Sequence, residues 1–261
     1  MQTSTVVTTP DIVGAQRKGF LDNGYLVFEN VIDPKQLADL AGSIRAEFER
    51  VKSGGQLFVG GGTVSGHLNC FPGAASRFVQ DQLRSAGIVE LVRSLSVVPL
   101  RAPNIGCNLN LPGSHAQNEH VDGYASQPFL VVNVACVDTD LENGAMEILC
   151  GTHRRDSKYW RILLDQPERL RLQMKQGDVV VRTSTLWHRG MPNHTERARP
   201  MLAFTWEDGG SRLEDPYAVH DGKITFLPNR YQTDWASRLR ERAFVAMPAA
   251  GVAFRAVRSL F

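Results

Sequence analysis

The triplet His120-Val121-Asp122 sets an imidazole and a carboxylate two residues apart. On an extended strand, positions i and i+2 project from one face, so both side chains reach a single ion. One such triplet recurs by chance in many chains and needs a partner. The distant His188, in TSTLWHRG, follows the strand-like run GDVVVRT and is the candidate third ligand. Two histidines and one carboxylate take one face of an octahedral ion and leave three positions open, as Fe(II) oxygenases require. A closed structural zinc site wants a fourth protein ligand, usually a thiolate. Cys70, Cys107, Cys136 and Cys150 contain no CxxC pair, and read as free thiols rather than as a zinc or disulfide framework.

The remaining candidates are weaker. His115 sits in a Pro-Gly-Ser turn, His153 follows Gly151-Thr152, His194 lies in a polar run and His220 in a terminal loop; all four read as surface or structural. Asn133 is the single polar residue of FLVVNVACV, a run that reads as a fully buried strand. A buried amide needs partners, and contact with a co-substrate or substrate and a bond to neighbouring backbone are both open. Gln117 and Asn108, just upstream of the ligands, are candidates for the same duty. Residues 54–66 hold six glycines. A phosphate cradle is excluded there, because His67-Leu68 stands where Lys-Ser/Thr is required; a lid over a pocket and a plain surface loop fit equally. His67, Asn69, Phe71, Tyr124 and Trp187 are candidate pocket residues, with Tyr124 equally readable as a packing aromatic.

The elements that must position these groups follow from patterning. The first ten residues are polar and read as a loose arm. Asp11 opens a short helix that Gly24 breaks, and Tyr25-Leu-Val-Phe reads as a strand. Asp33-Pro34 reads as an N-cap with proline at the first helical position. Leu37, Leu40, Ala41, Ile44 and Phe48 then recur at helical spacing to about Val51. From about residue 97 short strands alternate with turns, which predicts an antiparallel sandwich or barrel. The expected strands are 104–110, 119–123, 129–137, 144–149, 178–183 and 200–207, with a helical insertion from Gln166 to Lys175. Residues 235–261 read as a helix, a break at Pro248 and an apolar tail suited to core or homodimer packing.

Four segments, in order, carry a resemblance. GYLVFENVIDPKQLADL, NLPGSHAQNEHVD, NGAMEILCGTHRRD and WHRGMPNHTERARPMLAF resemble the opening strand and helix, the Pro-Gly turn into the HxD ligands, the Asn-Gly-Ala strand and the distal histidine with a following arginine of the phytanoyl-CoA dioxygenase family. The resemblance spans most of the chain. It implies a double-stranded β-helix (a jelly-roll, cupin-like all-β core with flanking helices) in one domain over 1–261. It implies His120, Asp122 and His188 as ligands of Fe(II), and Arg199 pairing with the C5 carboxylate of 2-oxoglutarate, with O2 as the third reactant. The residue itself suits that duty. A guanidinium fork binds a carboxylate through two parallel hydrogen bonds, and Pro200 biases Arg199 to extended structure on a face with Met201, Ala203 and Thr205. Arg197 and Arg189 are its rivals. With neutral histidines, the implied metal, co-substrate, Asp122 and Arg199 sum to zero charge, which a buried pocket needs. Related halogenases carry Gly or Ala in place of the carboxylate, so Asp122 favours hydroxylation. The alternative is a cupin-like hydrolase or isomerase using the same ligands without 2-oxoglutarate, for which Arg199 has no use.

A net charge of +2 with no Lys/Arg run gives nucleic acid nothing to grip, and no cationic cluster favours a CoA thioester. The expected substrate is a small molecule, a metabolite or natural-product intermediate. No stretch of about 18 apolar residues is present, and MQTSTVVTTPDIVG lacks the charged start and apolar core of a signal peptide. No membrane contact and a cytoplasmic location are the expectation.

Overall fold

The structure, a computed structural model, describes residues 10–53, 65–154, 158–226 and 235–259. The glycine-rich run at 54–64 and the arm at 1–9, both singled out above, lie outside them. Helix α1 (Pro10–Asn23) leads into β1 (Tyr25–Phe28), then α2 (Pro34–Ser53), β2 (His67–Phe71), α3 (Arg77–Ser85) and α4 (Ile88–Leu95). The strand-rich part follows: β3 (Asn104–Asn110), β4 (Leu130–Ala135), β5 (Met146–Leu149), helix α5 (Tyr159–Asp165), β6 (Arg169–Leu172), β7 (Val179–Thr183), β8 (His188–Arg189), β9 (Arg199–Thr205) and β10 (Thr225–Phe226). Helices α6 (Trp235–Ala246) and α7 (Pro248–Arg258) come last.

The strands form a seven-stranded sheet, β1-β7-β4-β9-β3-β2-β10, and a three-stranded sheet, β6-β5-β8. Every pairing is antiparallel. This is the expected jelly-roll: one domain of two facing sheets with helices outside. Period-two alternation assigns the faces. Leu130, Val132 and Val134 of β4 join the buried face of α2 (Leu37, Leu40, Ala41, Ile44, Phe48) in the larger core. Ala135, Val180 and Met201 point the other way and pack with Met146, Ile148 and Leu172 of the small sheet. The space between the sheets is therefore lined by the inner residues of β7, β4, β9, β3 and β2, and the polar ones among them stand out.

Helix α2 forms as its spacing predicts. Its Asp33 carboxylate accepts from the Lys35 amide at 2.8 Å, the N-cap geometry that satisfies an orphan donor. Two expectations are corrected. Residues 166–175 are not a helical insertion: the helix lies earlier, at Tyr159–Asp165, and ends at Gln166 with φ 42. Arg169-Leu-Arg-Leu then alternates with period two and pairs with Met146–Leu149 as an edge strand. Nor is 119–123 a strand. Only His120 makes a bridge, exchanging two 3.0 Å hydrogen bonds with His188, and the chain then curls so that the amides of Asp122 and Gly123 both reach the Ser184 carbonyl. Gly123 permits the curl, since a Cβ there would lie 2.6 Å from Phe129 and 2.7 Å from Ser184 Oγ.

Pro248 does break the C-terminal helix, but as the first residue of α7, so the expected apolar tail is a second helix. Trp235, Leu239, Met247 and Val257 on this pair are exposed. No helix among the described residues is long and apolar enough to cross a membrane.

Candidate metal site

His120 and His188 meet across their bridge with ring centroids 4.4 Å apart. The Nδ1 of His120 lies 2.7 Å from the Asn118 carbonyl, and that of His188 lies 2.9 Å from the Leu186 carbonyl. A carbonyl only accepts, so each Nδ1 carries the proton and each Nε2 keeps its lone pair free. Asp122 meets both: Oδ1 is 3.8 Å from His120 Nε2, and Oδ2 is 3.6 Å from His188 Nε2. The three ligand atoms lie within 4.8 Å of one another. Donor atoms on one face of an octahedron with ~2.1 Å bonds stand about 3 Å apart. Closing on a small divalent ion asks these atoms to draw together by less than about 2 Å, and their N,N,O chemistry suits iron. His188 is buried, and burial, with the Arg182 charge beside it, pulls its pKa down to about 3. It is neutral at pH 7, as a ligand must be.

Arg182, which sequence reasoning missed, governs the charge at this centre. It lies on β7 and is 4% exposed. Its Nη2 donates to Asp122 Oδ2 at 2.6 Å, its Nε donates to Asn133 Oδ1 at 3.0 Å, and its buried Nη1 has no partner among the described residues. Burial alone would raise the Asp122 pKa, but the Arg182 guanidinium, with the His188 and His120 rings beside it, outweighs it and holds the carboxyl well below the usual range. Asn133 is thereby placed: its oxygen is taken by Arg182, and its Nδ2 lies a long 3.4 Å from the Leu202 carbonyl. The signal was present, since Arg182 is the one charge in the strand VVVRT, as Asn133 is the one amide in its own run.

A second buried arginine stands at the other end of the inner face. Arg199 is 3% exposed; Nη2 donates to the Gly144 carbonyl at 3.1 Å and Nε to that of Asn143 at 3.4 Å. No carboxylate among the described residues pairs with it, and burial draws its pKa down to about 10. It opposes Asn110 of β3, which opposes His67 of β2. His67 is fully buried, with Nε2 on the His115 carbonyl at 2.9 Å and Nδ1 without a partner among the described residues. Burial outweighs that bond and pulls its pKa to about 4. Gln117 accepts from the Gly190 amide at 2.8 Å, tying the approach to His120 to the chain after His188.

The other candidates scatter. Asn108 and Asn69 oppose each other on β3 and β2, their side chains in a long 3.4 Å contact. Phe71 is buried, its ring 6.0 Å from that of His220. Tyr124 is 82% exposed. Trp187, just before β8, packs on Tyr159 with ring centroids 5.4 Å apart. His115, His194 and His220 are exposed, and His153 is structural, holding the Leu21 carbonyl at 3.1 Å.

A charged cluster braces the histidine pair from outside. Glu119, beside His120, accepts from the Tyr159 hydroxyl and from Arg169 at 2.7 Å. Glu147 accepts from the same Arg169 at 2.9 Å and from Arg189, beside His188, at 2.7 Å. Arg255 of α7 donates to Tyr159 at 2.7 Å, which links the last helix to the same knot.

Gly144 is the tightest backbone position here. At φ +89 its Cβ would lie 2.5 Å from the Met191 carbonyl and 2.3 Å from Asn110 Nδ2. Gly144→Ala is expected to lower stability by about 2 kcal/mol, and also to displace the carbonyl that holds Arg199. Urea denaturation, with ligand affinity measured on the folded fraction, checks both effects.

The sequence model described as phytanoyl-CoA dioxygenase (PhyH) matches residues 20–201. Among solved structures, the chain is similar to the epimerase SnoN in complex with Fe3+, alpha ketoglutarate and nogalamycin RO, with TM-score 0.59 and 19% identity over 76% of this chain and 84% of that one. It is similar to EctD from S. alaskensis with bound Fe, with TM-score 0.58 and 16% identity over 78% of each chain. It is also similar to the alpha ketoglutarate dependent carbocyclase SnoK from nogalamycin biosynthesis, with TM-score 0.57 and 15% identity over 87% of this chain and 99% of that one.

Proposed function

The chain belongs to the phytanoyl-CoA dioxygenase family, non-haem Fe(II)- and 2-oxoglutarate-dependent oxygenases, and from that premise we propose that it hydroxylates a C–H bond of a small-molecule metabolite. The observation that carries the reading is the converging His120, Asp122 and His188 set, with both Nε2 atoms freed by carbonyls behind them. These three would hold Fe(II), and Arg199, a buried cation without an acidic partner among the described residues, would hold the far carboxylate of 2-oxoglutarate. Iron, 2-oxoglutarate and O2 together supply the oxidising power to break a substrate C–H bond, with succinate and carbon dioxide as co-products. The protein's own part is to orient and to exclude water. Asn118 and Leu186 fix the imidazoles, Arg182 fixes the carboxylate, and the apolar inner residues Val131, Ala135 and Met201 keep the space between the sheets dry. The intact carboxylate at Asp122 favours hydroxylation over halogenation.

The epimerase and carbocyclase among the similar structures favour a second reading, a rearrangement that begins with the same C–H cleavage. A cupin-like hydrolase or isomerase without 2-oxoglutarate is disfavoured by Arg199. The test is anaerobic loading with Fe(II), addition of 2-oxoglutarate, then O2, with succinate measured. Slow succinate release that requires iron is expected even without substrate. Iron binding with no 2-oxoglutarate affinity would sink the reading.

A further inference from the structure

We propose that Arg182 is a second anion anchor, one that takes a carboxylate of the substrate and so makes the preferred substrate a carboxylate-bearing small molecule. This rests on the functional reading above and narrows it. The first ground is an incomplete fork. Arg182 spends Nη2 on Asp122 and Nε on Asn133, while Nη1 is buried and has no partner among the described residues. A buried donor of this kind is satisfied by a ligand or a water.

The second ground is charge. Asp122 is the only acid paired with either buried arginine among the described residues. Two charges on Fe(II) and one on each arginine face one on Asp122 and two on 2-oxoglutarate. One positive charge is left over, where the sequence, read without Arg182, balanced to zero. Buried charge is tolerated when paired, and a monoanionic substrate pairs it.

The third ground is position. Arg182 opposes Val131, which opposes Thr205, and leans toward Asn133, which opposes Ala203. Ala203 is four residues along β9 from Arg199, roughly 13 Å, so a dicarboxylate anchored at Arg199 leaves a separate anion position here. The way in is open, since the side chains of Asp122 and His120 are 30% and 39% exposed.

The test uses the full chain loaded with Mn(II), titrated by calorimetry with 2-oxoglutarate and then, at saturation, with acetate as a single-carboxylate probe. Arg182→Lys keeps a charge for Asp122 and removes the fork; Arg182→Gln removes both. Acetate is expected to bind the wild type weakly and the Lys variant about tenfold more weakly. Metal affinity is expected to fall in both variants, further in the Gln variant, so acetate binding is compared at saturating Mn(II) and 2-oxoglutarate. Acetate that fails to bind the wild type, or binds the Lys variant equally, overturns the proposal. A tenfold loss of 2-oxoglutarate in the Lys variant, without acetate binding, assigns Nη1 to the co-substrate and overturns the substrate class. Arg182-dependent acetate binding in a protein that holds no 2-oxoglutarate keeps the anchor and removes the functional reading instead.

Discussion

Asp122→Ala is expected to abolish Fe(II) binding and 2-oxoglutarate turnover, and also to destabilise the metal-free protein by about 2 kcal/mol. The second effect is the informative one. A metal site normally crowds ligands that the apoprotein would be more stable without, so removing one tends to be neutral or favourable. Here the carboxylate is the counter-charge of Arg182, 2.6 Å away and 4% exposed. Breaking a buried pair by deleting one partner costs roughly 3–5 kcal/mol, because the other charge is stranded. The Asp122 side chain is 30% exposed, so solvent screens part of that loss and brings it to about 2 kcal/mol. Asp122→Ala combined with Arg182→Met should recover most of the stability, since nothing charged is then left behind, yet still bind no metal. Urea denaturation of chelator-treated protein gives the first quantity and Mn(II) binding by electron paramagnetic resonance the second. If the single variant were as stable as wild type, Arg182 would not depend on Asp122 and the charge argument would fail with it.

What the sequence made legible, and what it did not, divides along one line. His120, Asp122, His188 and Arg199 are readable because their chemistry is carried by residue type and by segments in a fixed order. Helix α2 is readable because its apolar spacing is undisturbed from Leu37 to Val51. Arg182 was passed over because a charge in an apolar strand reads locally as an edge or surface residue; only the curl at Gly123, which brings Asp122 back over β7, gives it a partner. The same non-local logic hid β6. Arg169 and Arg171 look like the polar face of a helix until Glu147, on the neighbouring strand, supplies the pairing. The bracing of His120 and His188 through Glu119, Arg169 and Arg189 was invisible for the same reason, as no pattern within one segment encodes it.

Arg199→Lys is expected to weaken 2-oxoglutarate binding by about 10- to 100-fold while leaving metal affinity unchanged, and Arg199→Met to weaken it further, by about 3 kcal/mol or somewhat over a hundredfold. The argument turns on how the arginine is held. Nε and Nη2 reach the carbonyls of Asn143 and Gly144, so the guanidinium is fixed before the ligand arrives and little ordering cost falls on binding. Lysine has one nitrogen to serve both the carbonyls and a carboxylate, and it cannot make two parallel bonds. Charge alone is not the issue, because with a pKa near 10 Arg199 is protonated throughout the neutral range. Its contribution to affinity should accordingly stay flat from pH 6 to about 9. Calorimetry on Mn(II)-loaded wild type and both variants separates this arginine from the metal ligands, whose loss removes both affinities together. Should Arg199→Lys hold 2-oxoglutarate as tightly as wild type, the co-substrate would have to be anchored at Arg182, and the leftover charge would move to the Arg199 end of the site.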